Sequence, residues 1–194
     1  MAEEASQLEI YRAKAIGTNV NAVSLLATDY LNHFNEALML AELVIDMPDM
    51  LEDFTNWSPR HYKDHFRASG IADKELAIKA YDVSPQEYRA PFDGTVAKLN
   101  KQMQFLQKKL ANEQALIPTE ENSLFITAKC TLIRGLIDTA GAIINGNISA
   151  SRNPAAGDES LSNKSTETAN KPSDIIEVSD GELLDQSDID ALFD

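Results

Sequence analysis

Positive charge is scarce in this chain. Seventeen Lys and Arg stand against 31 Asp and Glu among 194 residues, for a formal net charge of −14. A general nucleic-acid binder neutralises phosphates with clustered cations, and anionic lipid is held in the same way, so neither partner is expected. Cysteine is nearly absent too. Cys130 has no second thiol to pair with, which suits a reducing, cytoplasmic compartment, and its neighbours Ala128, Leu132 and Ile133 mark it as a small buried apolar residue. Long apolar runs are missing. The densest, Ala37 to Ile45, is interrupted by Glu42 and closed by Asp46, whereas a bilayer span needs roughly 20 apolar residues, so membrane insertion is not expected. The opening MAEEASQLE has no basic region followed by an apolar one, as a secretory leader would. GxxxxGK[ST], GxGxxG and GxSxG do not occur, which removes the phosphate loop, the dinucleotide fingerprint and the nucleophile elbow. No cofactor is implied.

What is present is unevenly arranged. Residues 1–150 hold 14 basic and 20 acidic residues, a net of −6, and residues 151–194 hold 3 and 11, a net of −8. More than half of the excess charge thus lies in a short stretch, which divides the chain into a body and an acidic tail. The body reads as helical. Val23, Leu26, Tyr30, Phe34, Ala37, Ala41 and Val44 recur at steps of three and four, the apolar stripe of one amphipathic helix. Gly17 and Asn19 break the segment before it, and Pro48 ends it. Ser58-Pro59 and Ser84-Pro85 each pair a capping hydroxyl with a proline suited to the first helical position. They predict a short helix ending near Gly70 and a new start near residue 85, with a second short helix over residues 73–81. Pro91 is expected to prevent one uninterrupted helix there.

From Asp93 onward Val96, Leu99, Met103, Leu106 and Leu110 follow a heptad, with Lys98, Lys101, Gln102, Lys108 and Lys109 on the outer faces. Pro118 closes this helix. Thr119 caps the last one, predicted to run to about Gly146. Alternating β-branched runs bounded by turn residues are lacking. The expected fold is therefore all-α: an elongated antiparallel helical bundle over residues 1–147. Residues 148–180 are rich in Ser, Asn, Thr and Ala and poor in large apolar residues, the composition of a disordered linker.

Apolar residues return in residues 181–194, which end LLDQSDIDALFD. Ser187 and Asp190 fit a capping box, and Asp188 and Asp190 sit where the helix dipole favours negative charge. Ile189, Leu192 and Phe193 are spaced i, i+3, i+4 and share one face. So short a helix is unstable alone and is expected to fold on a partner's groove. The partner-binding residues are Leu184, Ser187, Ile189, Asp190, Leu192 and Phe193. The last 23 residues carry no Lys or Arg, so the groove should have basic surroundings.

Gln186 to Phe193 resembles the SQ-x-EIDALL peptide of the flagellar switch protein FliM and the terminal peptide of the CheZ chemotaxis phosphatases, which in those families bind the response regulator CheY. The resemblance implies that a CheY-like receiver domain is the partner, and that the body is a CheZ-like bundle, as a homodimer. CheZ phosphatases carry an Asp and a water-orienting Gln four residues apart, in D-L-T-G-Q-V-I. Asp138 to Ile144 is similar: Asp138, Gly141 and Ile144 match, but Ala142 stands where the Gln is expected. Asp138 is thus the candidate catalytic residue by resemblance, Asn145 is another polar side chain nearby, and binding without hydrolysis is the competing expectation. A surface pairing of Asp138 with Arg134 would explain it structurally. Met47 to Asp53 resembles the family's IPDARDRL stretch.

His61 and His65 lie four apart, as do the ligands of some helical metal sites, and His33 lies three residues from Glu36. The Glu-x-x-His pairs of bundle metal centres are missing, so no metal is expected. The aromatic run from Phe54 through Trp57 and Tyr62 to Phe66 is expected to pack short helices on the bundle.

Overall fold

The computed structural model describes residues 2–112 and 119–148, with side chains from residue 6 onward. Contacts divide the chain into a unit of residues 1–158 and a unit of residues 159–194. All described residues belong to the first. The expected linker and terminal peptide fall, apart from residue 148, outside them.

Seven α-helices and one 3-10 turn make up the described residues, with no named strand among them. Helix α1 is Ala2–Ala15 and the 3-10 turn is Thr28–Leu31. Then come α2, Asn32–Leu43, α3, Met50–Asn56, α4, Tyr62–Ala68, and α5, Lys74–Val83. The two long helices are α6, Gln86–Asn112, and α7, Glu120–Ile144. The body is mostly helical, as its composition and periodicity predict.

The heptad of α6 is its buried stripe: Leu99, Met103, Leu106 and Leu110 are all buried, and the lysines between them face outward. In α7 Ile126, Cys130, Ile133, Ile137, Ala140 and Ile144 recur at four and three and are buried as well. α6 packs on α7, and α2 packs on α7, α3 and α6. Thr119 caps α7 as predicted, its hydroxyl accepting from the Asn122 amide at 3.4 Å.

Three local expectations are corrected. The stripe from Val23 to Val44 is not one helix, because α2 begins only at Asn32. Residues 16–27 turn instead: the Asn21 carboxamide accepts from the Val23 and Ser24 amides, Leu25 takes φ +58, and Val20 bridges Ala27. A side chain that bonds the backbone locally competes with helix in this way. Of the stripe's members there Leu26 is fully buried and Val23 is exposed, so apolar spacing reports neither helicity nor uniform burial in this turn. The helix expected to start at Pro59 begins three residues later, at Tyr62, with His61 extended before it. Pro91, finally, lies inside α6. Its missing N–H removes one bond in the second turn, while burial of Phe92, Thr95 and Leu99 just beyond it holds the helix to the core.

Polar groups pin the short helices. The Ser24 hydroxyl donates to the Ile144 carbonyl, and the Ser84 hydroxyl donates to the Ser24 carbonyl at 2.7 Å. The Ala27 amide donates to the Tyr62 hydroxyl at 2.7 Å, the Tyr30 hydroxyl to the Arg60 carbonyl at 2.7 Å, and the Trp57 indole to the His33 carbonyl at 3.0 Å. The Gln107 amide donates to the carbonyls of Phe54 and Trp57, tying α3 to α6. Among the described residues no helix is long and apolar enough to cross a membrane.

Candidate functional site

Asp138 stands on the solvent side of α7, opposite the buried stripe, and is exposed. Ala142 is half-buried one turn on, and Asn145 is exposed at the helix end, its amide donating to the Gly141 and Ile143 carbonyls. Spacings of four and three put Asp138, Ala142 and Asn145 on one side of the helix. Thr139 lends nothing to that side, since its hydroxyl donates to the Gly135 carbonyl at 2.7 Å. A Cβ on Gly141 would lie 3.6 Å from the Leu31 side chain, an ordinary contact, so the glycine is not required sterically.

The pairing of Asp138 with Arg134 is corrected. Arg134 reaches across to Glu42 of α2 and donates to its carboxylate. The guanidinium pKa is raised by that hydrogen bond and by the charge of Glu42, with Asp138 adding a smaller Coulombic contribution. What remains at Asp138 is an exposed carboxylate that can accept a hydrogen bond or meet a partner's cation. Methyl-bearing Ala142 offers no group to align a water.

The histidines are arranged differently from their sequence spacing. His61 is exposed and precedes α4, whereas His65 turns inward and its ring lies 5.9 Å from that of His33. His33 stacks on Trp57 at 4.7 Å, and His65 meets the edges of Tyr30 at 5.5 Å and Phe66 at 5.2 Å. Burial, then the neighbouring His65 and Arg60, push His33 down to about 4. Burial and Arg60 lower His65 as well. Among the described residues no group of three or more His, Cys, Asp or Glu is placed to hold a metal. Sequence reasoning missed this pair because its members lie on different helices. The aromatic run does pack as expected, with Phe54, Tyr62 and Phe66 buried.

A cleft of about 350 Å³ is bordered by Tyr30, Arg60, Tyr81, Asp93 and Asn100 among others. The Tyr81 hydroxyl donates to Asp93 at 2.8 Å, and burial together with that carboxylate pushes Tyr81 up to about 12. Cys130 is buried, and desolvation pushes its thiol up to about 12, which leaves it protonated and inert as a nucleophile.

The partner-binding residues Leu184, Ser187, Ile189, Asp190, Leu192 and Phe193 lie outside the described residues. No family model, no curated protein and no solved structure matches the chain.

Proposed function

We propose that this chain is a cytoplasmic signalling adaptor that captures a CheY-like receiver domain through residues 181–194. The observation that carries the proposal is the peptide Gln186 to Phe193, in which apolar anchors at i, i+3, i+4 and a capping box coincide with the FliM and CheZ pattern. Leu184, Ile189, Leu192 and Phe193 supply apolar anchors, while Ser187 and Asp190 start the helix and direct its charge. The composition of residues 148–180 suits a tether, which raises the local concentration of a captured receiver near the body, so that even a weak peptide acts effectively.

The body serves as a scaffold in this reading. Its finer arrangement, an elongated antiparallel bundle, is part of the proposal. Support comes from the contacts between α6 and α7: Phe105 lies 6.4 Å from Phe125, the Lys109 ammonium sits 4.9 Å from the Phe125 ring, and Lys129 bonds Gln102 at 3.5 Å. Positions ascend on one helix as they descend on the other. A homodimer of the body belongs to the same reading. Binding without hydrolysis is favoured over CheZ-like phosphatase chemistry because Ala142 replaces the water-orienting side chain four residues after Asp138.

The test is binding of peptide 181–194 to a phosphorylated receiver domain, by fluorescence anisotropy. The expected result is capture that Leu192→Ala with Phe193→Ala abolishes. Equal capture by that double variant, or none by the wild-type peptide, would overturn the proposal and leave a scaffold whose acidic tail docks on another protein.

A further inference from the structure

Two neighbouring stripes on the long helices stand open. On α6 Lys98, Lys101, Phe105 and Lys108 follow one another at three, four and three residues, and all are exposed. On α7 Leu124, Ala128, Leu132 and Gly135 do the same at four, four and three. The large side chains are bare: Phe105 is 48% exposed, Leu124 66% and Leu132 45%. Phe125, one residue after Leu124, brings the stripes together through its 6.4 Å approach to Phe105. Cations sit on this apolar strip. The Lys129 ammonium lies 5.0 Å from the Phe105 ring and 5.8 Å from that of Phe125, and Lys109 lies 4.9 Å from Phe125.

Negative charge is missing from both segments. Residues 94–112 hold Lys98, Lys101, Lys108 and Lys109 and no Asp or Glu, and residues 122–137 hold Lys129 and Arg134 and none either. In a chain of net charge −14, a strip of this composition is the opposite of the average surface. Exposed Glu120, Glu121 and Asp138 stand at the two ends of the α7 stripe, and between them exposed apolar side chains set among lysines mark an interaction site.

We infer that the Phe105 face of α6 and α7 is a docking surface for an acidic amphipathic helix of a partner protein. Apolar side chains of that helix at three- and four-residue spacing lie on Phe105, Ala128 and Leu132, and its flanking carboxylates meet Lys101, Lys108 and Lys129. The same face of a second copy is disfavoured as the occupant, since it would set lysine against lysine. A nucleic acid is disfavoured because the middle of the strip is apolar. This inference rests on α6 and α7 alone and is independent of the receiver proposal, which rests on residues 181–194.

The experiment uses the full chain and a fluorescent synthetic helix of about 15 residues with Leu along one face and Glu elsewhere. The same helix with Lys for Glu and a single-stranded oligothymidine serve as competitors of different chemistry. The acidic helix is expected to bind at least about tenfold more tightly than either, with affinity falling as salt rises. Phe105→Ala, and separately Lys101→Glu with Lys108→Glu, should each weaken it about fivefold or more at unchanged helical circular dichroism. Substitution of exposed Lys79 on α5, Lys79→Glu, should leave it unchanged. Equal binding of the three probes, tighter binding of the oligothymidine, insensitivity to the charge reversal, or a dimer in sedimentation that Phe105→Ala splits would each overturn the inference.

Discussion

Ser24 shows how much a single small residue carries. It is fully buried, its hydroxyl donates to the Ile144 carbonyl, and its own carbonyl accepts from Ser84. It thereby joins the turn of residues 16–27, the end of α7 and the end of α5. Ser24→Ala leaves a buried carbonyl short of a partner, and a loss of about 1–3 kcal/mol in urea unfolding is expected. Nothing in the sequence around Ser24 distinguishes it from a solvent-facing helical serine, because its partner lies 120 residues away. The His33–His65 pair gives a second prediction at this scale. Burial disfavours the charged form of both imidazoles, lowering His65 and taking His33 from 6.5 to about 4. The unfolded chain therefore binds more protons between those values. The stabilisation is complete above about 6.5 and is lost as pH falls toward about 4. Urea midpoints should fall between about pH 7 and pH 4.5, and His33→Phe should flatten that dependence.

Among the elements, α6 and α7 follow the sequence most closely. A heptad survives the tertiary structure because each stripe packs on its neighbour along its length, and Thr119 starts α7 where a capping hydroxyl followed by acidic residues predicts. Thr119→Ala should cost about 0.5–2 kcal/mol, read as a lowered urea midpoint with little change in helical content. The shorter elements obey other constraints. Val23 belongs to the same apolar periodicity as Phe34 yet is exposed in a turn, since the Asn21 side chain closes that turn first. Pro91 breaks a local rule and remains within α6 because the helix is held by side chains beyond it. Restoring the amide with Pro91→Ala should raise stability by about 1 kcal/mol.

At the scale of the molecule, the proposal divides the work between a helical body and an acidic terminal peptide. Removing residues 181–194 should abolish receiver capture while leaving the urea midpoint of the body unchanged. The intact chain should not accelerate dephosphorylation of a receiver, and Asp138→Ala should leave that rate as it is. Acceleration by the intact chain that disappears in Asp138→Ala would instead make the body a phosphatase.

The helical class of the body, the buried stripes of its two long helices, the cap at Thr119 and the inert Cys130 were determined by local sequence, because periodicity and capping act between residues a turn or two apart. The acidic peptide that carries the functional reading is a matter of sequence alone. Only the tertiary structure decided that Arg134 meets Glu42 rather than Asp138, that His65 faces His33 rather than His61, and that Phe105 and Leu132 stay open among lysines. Those outcomes depend on which helix packs against which, and pairings between distant segments leave no periodic trace in the chain.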